Sequence, residues 1–407
     1  MVLACAVCLS LSWPVIAVYN FGPFIIPLSK EFGWSRGEIS GAITVINGTA
    51  TLIALILGVT VDRFGAKHVM LPSIILLALT VSSMYWLTDS LLHFYLVFFL
   101  IALFGAGTST LATAKIVLNW FDHHRGLALG LSMAGVGVGA TTLPYISTLI
   151  INSYGWREAY LCVGCLILLI SGLTCSLAIR EHPEDMGERK LEELRSTAPP
   201  PDTITGYTLR EVLHTRAFWL LLIAFFLVGF CAIACTVHLV PMLQDRGVSA
   251  IRAAQTASLL GGAMILGRVL VGYLMDRFFA PHVAIMFMLG PAVGLAFLAS
   301  GASGPVAYFS AIMIGLALGA EFDILAYFTS RYAGMRIFGT YYGMLLASFN
   351  LGSSIGPYAM GLGYDSSGAY STFLWLFAGG FIVICILFSM LGPYPQLPRH
   401  PQGTGPA

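Results

Sequence analysis

Apolar runs separated by short polar breaks repeat along the whole chain. A helix needs about 20 mostly apolar residues to cross a bilayer, and runs of this length are too long for barrel strands. With backbone hydrogen bonds satisfied internally, helices are the form such runs take in lipid. Twelve spans are predicted at 2–28, 38–61, 68–88, 91–118, 124–151 and 156–179, then 215–240, 253–275, 282–300, 305–329, 338–362 and 369–392. Between the sixth and seventh lies a charge-rich stretch, EHPEDMGERKLEELR, followed by Ala198-Pro199-Pro200-Pro201. It cannot cross a membrane and divides the chain. The expected organisation is an all-α membrane protein: a six-helix bundle over 1–180, a linker over 181–214, a second six-helix bundle over 215–393 and a tail over 394–407. Within the linker, Asp185–Leu194 reads either as a short amphipathic helix or as part of a solvated tether.

Composition agrees with this pattern. Charged residues make up 10% of the chain and apolar ones 57%, whereas soluble domains carry about 25% charge. The mean hydropathy is +0.85. A net charge of +1 on so few ionised groups gives no basic surface for nucleic acid. The eight cysteines sit in apolar runs. The Cys162-x-x-Cys165 pair reads as small packing residues of a span rather than a redox motif, and no disulfide framework is implied. Residues 1–28 lack a charged leader and a small-residue cleavage site, so they read as an uncleaved first span. Thirteen of the twenty Lys and Arg fall on the linker side of the spans. Five, Lys30, Arg36, Arg157, Arg246 and Arg252, fall on the other. The positive-inside rule then predicts a multi-pass protein of the cell (inner) membrane with both termini cytoplasmic.

Gly58-Val-Thr-Val-Asp62-Arg63-Phe-Gly65 follows the second span, and Gly272-Tyr-Leu-Met-Asp276-Arg277 follows the eighth. A G-x-x-x-D-R segment at the same place in each half is an internal repeat. Glycine permits close helix approach, and the aspartate suits a helix cap or an arginine partner at the membrane edge. These residues resemble the signature loop of the major facilitator superfamily, and the resemblance covers essentially the whole chain. It implies two bundles rocking about a central site, with Gly58, Asp62, Arg63, Gly65, Gly272, Asp276 and Arg277 as gating loops. Further segments are Trp120-Phe121-x-x-x-Arg125-Gly126, Gly155-Trp156-Arg157, Gly319-Ala-Glu321-Phe-Asp323 and Arg331-Tyr332-x-Gly-x-Arg-x-Phe338-Gly339-x-x-Tyr342-Gly343. These look like bacterial monocarboxylate and oxalate/formate-type porters, which implies an organic-anion substrate.

Arg268 lies eight residues before Asp276, about 12 Å up its helix and so near the bilayer centre. Arginine there faces a water-filled path or pairs with an acid, and its guanidinium matches a carboxylate bidentately. In the carboxylate porters that this chain resembles, an arginine at the corresponding place binds substrate. A structural ion pair is the competing reading. Glu321 and Asp323 lie near the centre of the tenth span, about 200° apart on a helix. Either is a candidate proton carrier, and an interhelical clamp explains them equally well. Tyr19, Asn20 and Asn350 complete the candidate substrate residues, with interhelical hydrogen bonding as the alternative. Lys115 is placed to snorkel to the cytoplasmic interface, and His238 reads as an interfacial structural residue. Oxalate-type porters carry a lysine in the eleventh helix. The span from Gly339 to Gly363 has none, which favours a monoanion.

The sequence carries no nucleotide loop, nucleophile constellation or metal-ligand spacing, so no cofactor or metal is expected, nor an enzyme. The expected protein is a secondary carrier for a small carboxylate, with a proton as candidate partner. Export of an apolar or amphiphilic compound, and a ligand-binding sensor without flux, are the alternatives.

Overall fold

The computed structural model describes residues 1–120, 125–180, 203–301, 304–334, 336–396 and 398–401. The stretch Asp185–Leu194 lies outside these residues, as does Phe121, and so does the side chain of Asp62.

Among the described residues twelve helical spans are present. Those of the first half are Val2–Tyr19, continued by Gly22–Phe32, then Arg36–Phe64, Ala66–Trp86, Leu91–Val117, Arg125–Ser153 and Trp156–Leu177. Those of the second half are Arg216–Asp245, Ala250–Met275, Ala280–Ala299, Pro305–Tyr332, Phe338–Ser367 and Ser371–Ser389. Among the described residues, ten segments are long and apolar enough to cross a bilayer on composition alone. The second and eleventh spans complete the set.

Local chemistry sets the ends. Ser35 caps the second span in a capping box with Glu38, after Gly33 ends the preceding helix at φ 72°. That left-handed conformation costs a glycine nothing and other residues a good deal. Thr208 and Glu211 form a second capping box on the short helix Leu209–Leu213 that leads into the seventh span. The linker is more ordered at this end than a free tether. Strand β1 (Thr203–Thr205) pairs antiparallel with β2 (Arg399–Pro401) of the tail, and Gly206 bridges to Gly334.

Among the described residues three spans pass through a π-helical stretch: the first at Val15–Tyr19, the sixth at Ile167–Gly172 and the seventh at Gly229–Ile233. Such turns displace the helical hydrogen bonds by one residue and recur at functional sites.

Glycines let the helices meet at backbone distance. A Cβ on Gly135 or Gly139 of the fifth span would stand 2.0 Å from the carbonyl oxygens of Ala6 and Ser10 on the first. One on Gly137 would stand 2.5 Å from Ile265 of the eighth span, and one on Gly261 would stand 2.4 Å from the Thr141 nitrogen. Small residues give membrane helices van der Waals contact where no hydrophobic drive exists between them. The fifth span therefore packs against its own half on one side and against the other half on the opposite side.

Candidate functional site: a central cation and a sealed outer mouth

Glycine again places the central site. Gly315 and Gly319 of the tenth span lie against the carbonyls of Leu260 and Met264 on the eighth. This close crossing brings Arg268 alongside the tenth helix. Its Nε donates to the Gly319 carbonyl at 3.5 Å and lies 3.6 Å from Asp323 Oδ2. Both distances are long for charge-assisted contacts, which close to about 2.7–2.9 Å when well made. The guanidinium is thus held in place but incompletely satisfied. It also borders a narrow crevice toward Met133 and Gly137 of the fifth span, so it faces both halves.

Glu321 is 1% exposed and its Oε2 accepts no hydrogen bond; the same holds for Asp323 Oδ2. A buried carboxyl oxygen without a partner is costly. Both acids are within electrostatic reach of Arg268. From the first span, Tyr19 interacts electrostatically with Glu321 and Arg268. From the eleventh, Tyr342 interacts with Asp323, Arg268 and Glu321. Asn20 is fully buried next to Tyr19, and both atoms of its amide lack a partner within the protein.

Arg268, Glu321, Asp323 and Tyr19 therefore converge, with Asn20 adjacent in the chain. The backbone carbonyl of Asn350 accepts the hydroxyls of Ser353 and Ser354 on its own helix, and the residue lies eight positions beyond Tyr342, about 12 Å along the axis. Tyr342, which in the sequence stands out only as part of the Arg331–Gly343 segment, joins the cluster. Its signal was position on the face presented to the cavity, which needs the helix rotation to be read.

The residues at the linker-side ends of the spans have local partners. Lys115 Nζ donates at 2.9 Å to the Val61 carbonyl, which also accepts the Gly65 N–H that caps the second span. Arg63 stacks over Phe64 and Arg277 over Tyr273. Gly65 turns the chain at φ 85° between the second and third spans. A Cβ on Gly272 would meet nothing within 4 Å, so no neighbour uses that glycine for close approach in this conformation. Asp276 lies at the C-cap of the eighth span, and Gly58 lies in the final turns of the second.

The opposite mouth, the outer one in the orientation that the basic residues predict, is sealed by a polar latch. Arg36 begins the second span, and its Nη1 and Nη2 lie 2.5 and 2.7 Å from the two carboxylate oxygens of Asp245, at the end of the seventh. Nη1 also donates to the Tyr370 hydroxyl at 2.6 Å, and the guanidinium stacks 3.9 Å above the Tyr364 ring. Asp365 accepts from the backbone nitrogens of Arg36 and Gly37. Deeper in the same seam, the Thr44 hydroxyl donates to the Ser354 carbonyl and Asn47 Nδ2 contacts Ser353. His238 belongs to this latch. It is fully buried, not interfacial, because the seventh span is packed here against the second and the eleventh.

Comparison with known proteins gives the following. The sequence profile described as Major Facilitator Superfamily matches residues 7–345. An Escherichia coli (strain K12) protein, the uncharacterized MFS-type transporter YhjX, is 22% identical over 344 residues, covering 83% of this chain and 82% of that one. Human monocarboxylate transporter 11 is 25% identical over 354 residues, covering 84% and 71%. Among solved structures, a D-xylose–proton symporter superposes with a TM-score of 0.75 at 13% identity, covering 97% of each chain. A bacterial homologue of the human lysosomal transporter Spinster, in an inward-facing and unoccupied conformation, gives 0.68 at 19%, covering 96% and 95%.

Proposed function

Because the chain belongs to the major facilitator superfamily, a family of membrane transporters, we propose that it carries a small monocarboxylate or similar organic anion by alternating access, coupled to a proton. The observation that carries this reading is the state of Arg268: a central cation whose contacts to Asp323 and Gly319 are both stretched. A carboxylate able to make a bidentate contact gains more from the guanidinium than either present partner does. Asp323 then gives up its cation, and a carboxylate that loses its counter-charge in a buried setting favours the protonated form. Anion entry and proton uptake become one event. Glu321, buried without a partner for Oε2, is the second candidate proton site. Tyr19 and Asn20 supply hydrogen bonds from the opposite half, and Asn350 lies farther along the path.

In this reading the 1–180 and 215–393 bundles rock on each other in the cell membrane with both termini cytoplasmic. The loops Gly58–Gly65 and Gly272–Arg277 then act at the cytoplasmic mouth. The decisive experiment is uptake of radiolabelled lactate and pyruvate into proteoliposomes, with and without an inward proton gradient. Gradient-stimulated uptake supports the assignment; no flux of either acid under both conditions removes it.

One observation favours a second reading, export of an amphiphilic compound. A cavity of about 530 Å³ lies between the fifth, eighth and tenth spans, lined by Thr141, Tyr145, Gln255, Ser258 and Tyr308 beside the exposed Leu259. Flux of an amphiphile that lactate and pyruvate fail to inhibit would favour it.

A further inference from the structure

The polar groups of the outer latch have a fixed direction. The carbonyl oxygen of Pro357 only accepts hydrogen bonds, and it lies 3.0 Å from His238 Nε2. Nε2 therefore carries the proton of the neutral ring. It is also 3.1 Å from the Ser40 hydroxyl of the second span. Nδ1 is then a bare acceptor, 3.1 Å from the Tyr370 hydroxyl, which donates to it. The same Tyr370 oxygen accepts from Arg36 Nη1. The sequence runs from the Arg36 N–H to Tyr370, from the Tyr370 O–H to His238 Nδ1, and from His238 Nε2–H to Pro357. Every donor meets an acceptor, and the chain crosses from the first half to the second at its Arg36–Tyr370 step.

We infer that His238 is a proton-accepting site built into the outer latch: the latch closes around the neutral imidazole, and adding a proton at Nδ1 opens it. The added N–H points at an oxygen already taking a hydrogen bond from a guanidinium. The Tyr370 proton loses its acceptor, and two cations then share one phenol oxygen. The surrounding charges do not offset this. On the seventh span, Asp245 already gives both oxygens to Arg36. On the eleventh, Asp365 gives both to the backbone nitrogens of Arg36 and Gly37, while Tyr364 lies under the guanidinium. The second span contributes Arg36 itself with Ser40. The first contributes Lys30, beside Arg36 and Asp245 in a crevice of about 310 Å³ at this mouth. Two of these groups are cations, and both carboxylates are committed. The relief is separation of Arg36 from Tyr370, which is separation of the halves. This site is distinct from the central acids, and it ties opening of the mouth to the pH of the compartment that the mouth faces, as histidine does elsewhere near neutrality.

The test needs no substrate. Fluorophores introduced by noncanonical residues at positions 154 and 300, exposed turns near this end of the first and second halves, report the width of the mouth by single-molecule energy transfer. Lowering the pH from 7.5 to 5.0 is expected to move the wild-type population toward the wide distance, and His238→Gln to lose that dependence. Tyr370→Phe, which breaks the chain without touching the imidazole, is expected to widen the mouth at both values and to flatten the response; it serves if His238→Gln does not fold. An equal pH response in His238→Gln, no response in the wild type, or narrowing at pH 5.0 overturns the inference. Failure of lactate or pyruvate flux leaves it untouched, because the readout is the mouth itself.

Discussion

Arg36 and Asp245 meet across the seam between the two halves, with both guanidinium nitrogens paired to both carboxylate oxygens at 2.5 and 2.7 Å. They are 209 positions apart in the chain, and one opens the second span while the other closes the seventh. The pair is the most complete ionic contact between the halves among the described residues, and it lies at one mouth only. Arg268 and Asp323, both of the second half, make a looser pair in the centre at 3.6 Å. A tight pair at the rim and a slack one in the middle are what a closed mouth above a receptive site requires.

Asp245→Asn should shift the protein toward the conformation open at this mouth. Removing one member of a partly buried charged pair costs about 1.5–3 kcal/mol, enough to change the ratio of two conformations by a factor of ten or more. Mouth-to-mouth distances by energy transfer, or modification of a cysteine introduced at Ser40 by a membrane-impermeant reagent, measure this. An unchanged distribution would show that the remaining contacts of the seam, those of Asp365, Tyr370, Thr44 and Asn47 among them, hold it without this pair.

Arg268→Leu should lower carboxylate uptake more than tenfold while leaving the protein monodisperse in detergent. Arg268→Lys should recover only part of it, since an ammonium gives a point charge where the guanidinium gives a planar fork. Initial rates in proteoliposomes at saturating and sub-saturating acid separate binding from turnover. Undiminished uptake in Arg268→Leu would reassign the arginine to packing.

Asp323→Asn should uncouple uptake from the proton gradient, because Asp323 is the acid paired with Arg268. Glu321→Gln should retain gradient dependence at a reduced rate. Counterflow with and without a pH difference distinguishes them. The opposite pattern would name Glu321, whose Oε2 has no partner in the protein, as the carrier.

Glycine substitutions should divide by position. Gly139→Val sets a side chain against a carbonyl that a Cβ would already approach to 2.0 Å, and overpacking of this kind costs about 1–3 kcal/mol or more. Gly48→Ala, with nothing within 4 Å, should be neutral within about 0.5 kcal/mol. Thermal denaturation in one detergent, followed by tryptophan fluorescence, gives the comparison.

The twelve spans were legible because the bilayer imposes a length on each helix, and the glycine run of the fifth span because close packing is a local property of small residues. Breaks inside spans were less so: the π-helical stretches at Val15–Tyr19, Ile167–Gly172 and Gly229–Ile233 leave the apolar pattern intact. Spacing showed that Glu321 and Asp323 face different ways, but not which one faces Arg268, because that depends on how the tenth helix is rotated against the eighth. The latch was illegible for a similar reason. Arg36, Asp245, His238 and Tyr370 look like unrelated polar residues near helix ends until the seam brings four spans to one point.

The alternating glycines of the fifth span have a mechanical meaning. Gly135 and Gly139 meet main-chain atoms of the first span, which cannot yield, whereas Gly137 meets first the side chain of Ile265, which can, with the Gly261 carbonyl farther off at 3.2 Å. Where the eighth span presents backbone, at Gly261 against Thr141, the contact is again unyielding. Any rocking of one half on the other must therefore keep the first and fifth spans together as a single stiff beam. It turns on a fulcrum at Gly261 and spends its freedom in one rotatable isoleucine.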